Sequence, residues 1–205
     1  MTVVDVAVER PFSLDGLVYR LVLAVDVEGY SKLSGYEQGR AQSLLDEVME
    51  HAARRAGLDR GDWYRQVRGD GELAVLPADT DTAWVVAGFT ERLRDGLAAL
   101  RAAGTPLRVR LAMHCGPLAG GRYGLVGETP IRTCRLLDAP VVRRALAAAD
   151  GDLVLVVSDG LFRDVVSTRF HQLEPERFRR TWVTAKKTRY AGYVCTACPS
   201  ASPNP

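Results

Sequence analysis

The run Leu21-Val22-Leu23-Ala24-Val25-Asp26-Val27 constrains this chain more than any other stretch. It is apolar, rich in Val and Leu, and broken by one acid near its end. Such a run reads as a strand buried on both faces. A carboxylate inside it is costly unless something pairs with it. A second acid follows in Gln66-Val67-Arg68-Gly69-Asp70-Gly71-Glu72. Glycines flank Asp70 and the strand-like Leu73-Ala74-Val75-Leu76 comes next, which reads as a hairpin with an acid at its tip. Two acids on adjacent strand ends can hold a hard divalent cation.

The segments around these acids form a regular series. A first strand is expected over about 18–27, then a helix over about 36–56, where Leu44, Leu45, Val48, Met49 and Ala52 recur at helical spacing. The hairpin arms fall at about 63–68 and 72–76. Asp79 to Thr82 supply capping residues for a long helix over about 81–103. A fourth strand over about 107–115 alternates Val109, Leu111 and Met113 with Arg108 and Arg110. Strand, helix, strand, strand, helix, strand is the ferredoxin-like βαββαβ plan, an α+β sandwich. Beyond it come a glycine-rich excursion over 116–129, two short helices, a fifth strand, another short helix and a terminal hairpin around Lys186-Lys187. The expected domain plan is a lead over 1–17, one folded domain over 18–198 and a Pro/Ser-rich disordered tail over 199–205.

Four segments in order resemble the class III nucleotidyl cyclases, the adenylate and guanylate cyclase catalytic domains. They are Val25-Asp26-Val27-Glu28-Gly29-Tyr30-Ser31, Gly69-Asp70-Gly71, Arg108 to Gly116 with its His-x-Gly ending, and Gly124-Leu125-Val126-Gly127-Glu128-Thr129 followed by Arg135-Leu136. The resemblance implies that Asp26 and Asp70 hold two divalent cations, magnesium or manganese. The Val27 carbonyl assists, and the amides of Val27, Gly29, Tyr30 and Ser31 receive the phosphates. It implies that Arg135 stabilises charge on the reacting phosphate, a task that suits a guanidinium fork. Lys187 would bind the triphosphate, and two chains would pack head to tail with shared sites. His114 reads as a structural strand-end histidine.

This chain departs from the family pattern at three positions. Ile131 stands where the family keeps a transition-state asparagine; Arg132 is adjacent and is the candidate stand-in. Gln66 replaces the adenine-selecting lysine, and Gly124 aligns with its acidic partner. Gln66 both donates and accepts, and Tyr64 or Tyr123 can stack on a base. Two readings stay open. One is an altered substrate, as in the small pyrimidine cyclases of bacterial antiphage signalling, giving cyclic UMP or cyclic CMP as a second messenger. The other is a degenerate module that binds nucleotide or a protein partner. Two further expectations follow from the sequence. Removing one of two unpaired, facing acids relieves repulsion and stabilises the metal-free fold. The helix carrying Arg135, lying beyond the glycine-rich segment, has no evident way back over its own chain's acids, which argues for a homodimer.

Composition supports this frame. Lys plus Arg number 27 and Asp plus Glu 25, so the net charge of +2 does not call for nucleic acid or an acidic membrane. The aromatic stacking pattern of RNA-binding ferredoxin-like domains is missing. No apolar run approaches the ~18 residues of a membrane span, and the start lacks a signal-peptide pattern, so a cytoplasmic location is expected. Of four cysteines, Cys195 and Cys198 form one Cys-x-x-Cys pair with no matching second pair. They read as reduced thiols rather than a zinc site.

Overall fold

The computed structural model describes residues 16–185 and 188–196. Lys186, Lys187, Cys198, nearly all of the expected lead and the whole expected tail lie outside the described residues.

The first strand, β1, spans Val18–Val27. Its alternation sorts the whole molecule. Leu21, Leu23, Val25 and Val27 point to one face of the sheet, and Val22 and Ala24 to the other. Helix α1, Gly35–Arg55, starts at Ser34, whose hydroxyl and amide exchange hydrogen bonds with Glu37 in a capping box. It packs Leu45, Val48, Met49 and Ala52 onto the first face. The hairpin strands β2, Tyr64–Arg68, and β3, Gly71–Val75, follow. Helix α2 covers residues 82–102 and is capped by Asp81, whose side chain accepts from the Trp84 amide. One π-helical stretch, Val85–Phe89, lies within it. It adds Phe89, Leu93 and Leu97 to the same face.

Strand β4, Val109–Gly121, is longer than expected. The segment expected to be a glycine-rich loop instead continues β4 and turns back as β5, Gly124–Val126, pairing Ala119 with Val126. Helices α3, Glu128–Leu137, and α4, Pro140–Ala147, carry the chain to β6, Leu153–Ser158, which runs parallel to β4. A helical crossover is the usual way to join such parallel neighbours. Helix α5, Asp159–Asp164, and the hairpin β7, Arg179–Ala185, with β8, Thr188–Cys195, complete the chain. The sheet order is β2-β3-β1-β4-β6-β8-β7, with β5 attached to β4. Its first four strands have the order of the βαββαβ plan, so the fold class expected from the sequence is the one observed.

The second face corrects one expectation. Helices α3 and α4 lay Leu136, Leu137, Val142 and Leu146 over Val22, Ala24, Leu73 and Ala112. The helix carrying Arg135 therefore does fold back over its own sheet. The long extension of β4 and the short β5 return supply the route.

Candidate active site

Asp26 stands on β1 directly across from Arg110 on β4 and from Gly71 on β3. It shares the second face with Val22 and Ala24, beneath α3 and α4. Its two carboxylate oxygens accept from Arg110 Nε at 2.7 Å and Arg110 Nη2 at 2.6 Å. Asp26 is 5% exposed and Arg110 8%. This is a bidentate buried pair, the strong form of the interaction. Burial pushes the Asp26 pKa up to about 6, Arg110 pulls the other way, and the neighbouring Asp70 and Asp138 add to the rise. Arg110 is a site residue the sequence reading missed. The signal was present, because the β4 alternation puts Arg110 on the face opposite Leu111 and Met113.

Asp70 occupies the tip of the β2–β3 hairpin. Its backbone carbonyl accepts from the Val27 amide at 2.9 Å, which pins the tip to the end of β1. Gly71 permits that closeness: a Cβ there would lie 1.8 Å from the Val25 carbonyl oxygen. The hairpin is held from the first face by charge. Arg60 Nη2 donates to Glu72 at 2.9 and 3.0 Å, and Arg65 donates to Glu72 and Asp46, each at 2.7 Å. From α1, Gln42 Nε2 donates to the Tyr30 hydroxyl at 2.7 Å and to the Gly69 carbonyl at 2.6 Å. One amide thus ties the turn after β1 to the turn that carries Asp70.

Asp70 lines two cavities. The smaller, of about 110 Å³, also holds Asp26, Arg68, Cys134 and Asp138. The larger, of about 620 Å³, is lined by residues 27–32, Arg110 and Arg143. The segment expected to receive phosphates, Val27, Gly29, Tyr30 and Ser31, therefore borders the same space as Asp70. Cys134 and Asp138 come from the end of α3, so this chain places that helix beside its own acids.

Two carboxylates are the right donors for a hard divalent cation, and their nearness fits one. Arg110 is the competitor, since it holds both Asp26 oxygens. Among the described residues no group of three or more acid, histidine or cysteine side chains gathers as a metal site. Cys195 is buried on β8.

The two arginines lie elsewhere. Arg135 Nη1 donates to the Tyr190 hydroxyl at 2.6 Å and lies 3.6 Å from Glu128. The Arg132 guanidinium sits 5.0 Å from the centre of the Tyr190 ring, within cation–π range. Arg132, Glu128 and Tyr190 line a third cavity, of about 600 Å³, with His114 and Ser158. Ile131 is half exposed on the same helix. His114 is buried and its Nδ1 lies 2.8 Å from Ser158 Oγ. Burial first, and Arg132 second, push its pKa down to about 4. Tyr190 is a further residue the sequence did not flag.

Gln66 and Gly124, the positions that stand in for the purine-reading pair, meet across two strands. A Cβ on Gly124 would lie 2.0 Å from Gln66 Nε2, and Gly124 has a φ of +122°. Tyr64 packs with the second-face core and Tyr123 is exposed. Lys187 lies outside the described residues.

No protein-family model matches the sequence, and no curated protein matches it significantly. Solved structures do. The adenylate/guanylate cyclase/hydrolase from Silicibacter pomeroyi superposes with a TM-score of 0.62 at 18% identity, covering 90% of this chain and 99% of that one. The guanylate cyclase domain of RhGC from Catenaria anguillulae, solved with GTP, gives 0.58 at 17%, covering 88% and 97%. The guanylyl cyclase Cya2 gives 0.57 at 16%, covering 88% and 92%. The fold is that of the cyclase catalytic domains. Identities this low establish the fold, and the chemistry has to be argued from the residues. Among the described residues, no helix is long and apolar enough to cross a membrane.

Proposed function

We propose that this chain is a nucleotidyl cyclase: a nucleoside triphosphate becomes a 3′,5′-cyclic nucleotide and pyrophosphate, within one catalytic domain over 18–198 acting in the cytosol. The ribose 3′-oxygen gives its proton to water and bonds to the α-phosphorus, and the bond from that phosphorus to the oxygen of the departing pyrophosphate breaks. One observation carries this reading. Asp70 lines both a small cavity that it shares with Asp26 and a larger one walled by the turn of residues 27–32 and Arg110, so the two acids adjoin that turn of backbone amides.

Asp26 and Asp70, with the Val27 carbonyl, would hold magnesium or manganese. Bound there, such ions neutralise the triphosphate and favour the ionised 3′-hydroxyl. The amides of residues 27–31 receive phosphate oxygens. Arg110 Nη1 is buried with no hydrogen-bond partner among the described residues, so an anion in the cavity would satisfy it. Arg135 and Arg132 would act on the reacting phosphate from a partner chain, and Lys187 would contribute to triphosphate binding. With Ile131 in the asparagine position, the rate falls by about 100- to 1,000-fold unless Arg132 compensates, the usual cost of one lost donor.

Gln66 lying against Gly124 supports a pyrimidine triphosphate over ATP. The charges of the purine-reading pair are gone, and an amide that both donates and accepts can meet a different base edge. A role in antiphage signalling rests on the same departure. The test is incubation with each of the four triphosphates and manganese, followed by mass spectrometry. Cyclic UMP or cyclic CMP from the wild type, and none from Asp70→Ala, is expected. The second reading, a binding module without turnover, is favoured by Ile131 and by Arg110 filling Asp26. Nucleotide binding with no cyclic product from any triphosphate would select it.

A further inference from the structure

We infer that Arg143 on α4 is a triphosphate-binding residue supplied by the same chain as the two acids. This rests on the cyclase reading of the cavity and adds a residue that no motif in the sequence singles out.

Three observations carry it. Arg143 lines the cavity of about 620 Å³ together with the turn of residues 27–32, Asp70 and Arg110. It comes from a separate element, α4, so its charge is supplied independently of that turn. The helix holds it firmly: α4 begins with Pro140, and Val142 and Leu146 are fully buried on either side of Arg143 along the chain.

Its present partner is weak. Arg143 Nη2 donates to Asp138 Oδ1 at 3.3 Å, and the two side chains are 58% and 65% exposed. Exposed pairs of this kind contribute little, so exchanging Asp138 for a phosphate oxygen costs little. The other cations of the cavity differ. Arg110 is fixed by two short bonds to Asp26. Lys32 sits on the turn itself. A triphosphate carries about four negative charges and needs mobile counter-charge, and a guanidinium fork can grip two oxygens at once. Asp138 lines the smaller cavity beside Asp26 and Asp70. When Arg143 moves to a phosphate, the freed Asp138 carboxylate strengthens the negative field around the metal acids, which ties phosphate binding to cation binding.

The experiment is calorimetric titration of the full chain with inorganic tripolyphosphate and magnesium, a probe that carries no base. Arg143→Met is expected to weaken binding by about 10- to 100-fold, in the range of a charge-assisted contact. Arg143→Lys should recover part of the loss. Arg144→Met, an exposed neighbour that does not line the cavity, should change nothing. The melting temperature of Arg143→Met should match the wild type, since the pair it loses is exposed. Asp70→Ala separates the two claims. If the wild type binds tripolyphosphate and Asp70→Ala weakens it while Arg143→Met does not, this inference falls and the cyclase reading stands. If the wild type does not bind at all, both fall. An equal loss in Arg143→Met and Arg144→Met would reduce the effect to the general surface field and overturn the assignment.

Discussion

At the scale of the residue, Asp26 decides most. Its pairing with Arg110 reverses the expectation that losing an acid would relieve repulsion, which assumed that Asp26 was unpaired. Asp26→Ala would leave a buried guanidinium without its counter-charge, and such losses typically cost about 3–5 kcal/mol. The expected outcome is a clear drop in denaturant midpoint for Asp26→Ala, largely restored in the double variant Asp26→Leu/Arg110→Met. A fully stable single variant would show that the pair does not form. His114 gives a second residue-scale prediction, this time in pH. Its folded pKa of about 4 lies below the ordinary value of 6.5, so between these values the unfolded chain binds more protons than the folded one. The stabilisation is complete above pH ~6.5 and is lost as the pH falls toward ~4, on the order of 3 kcal/mol at most for this one group. Thermal melts of the wild type and His114→Gln should converge as the pH falls through that window. A constant gap would mean that His114 titrates normally. The two acids stood out because each sits in a short, unusual context: an acid inside an apolar strand, and an acid between glycines. Arg110 was legible only in part: the alternation sets it on the face opposite Leu111 and Met113, but looks the same whether that face meets solvent or a buried carboxylate.

At the scale of the element, the site depends on how two turns are held together. β1 and the first helix were readable almost to the residue, since period and capping agree there. The β4–β5 return was not, because glycines permit a loop and a hairpin equally and nothing local chooses between them. The crossing that brings α3 and α4 over the second face is likewise tertiary, fixed by Leu136, Val142 and Leu146 finding an apolar face. Gln42 is the element-scale device that the sequence hid. It is an exposed polar residue on a helix, with no reason on local grounds to be singled out. Its amide bridges the β1 turn and the Asp70 turn, so Gln42→Ala should loosen their spacing more than it lowers stability, where two exposed hydrogen bonds count for about 1 kcal/mol or less. The check is manganese titration. A several-fold loss of affinity with a near-normal melting temperature is expected, and unchanged affinity would mean that the bridge is incidental. Gly124 makes the converse case. Any side chain there meets Gln66 and an unfavourable φ, so Gly124→Ala should cost on the order of 1–3 kcal/mol and, on the proposed reading of Gln66, change the product pattern. A variant with wild-type stability and product pattern would refute that.

At the scale of the whole molecule, the question is whether one chain makes a complete site. The folding of α3 over its own sheet removes the argument that the helix cannot reach its own acids. The acids face the cavities lined by Asp70, whereas Arg132, Tyr190 and Glu128 line a separate cavity, and Arg135 is held by that same Tyr190 and Glu128. The two acids and the two arginines therefore sit in different places on one chain. Ile131, Val126 and Tyr123 are exposed apolar side chains on α3 and the β4–β5 hairpin, the kind of surface that a partner covers. A closed two-fold dimer would bring the arginine half of one chain to the acid half of the other, twice. The expected result is a homodimer whose monomer has little activity. Mixing two inactive variants, Asp70→Ala and Arg135→Ala, tests it. In the mixed dimer one site carries both lesions and the other carries none, so activity should return to at most about half that of a wild-type dimer for each heterodimer formed. Sedimentation of the wild type supplies the independent check, because complementation requires a dimer at the assay concentration. If subunits demonstrably exchange and no activity returns, Arg135 works on its own chain's substrate or not at all, and the separate arginine cavity needs another purpose.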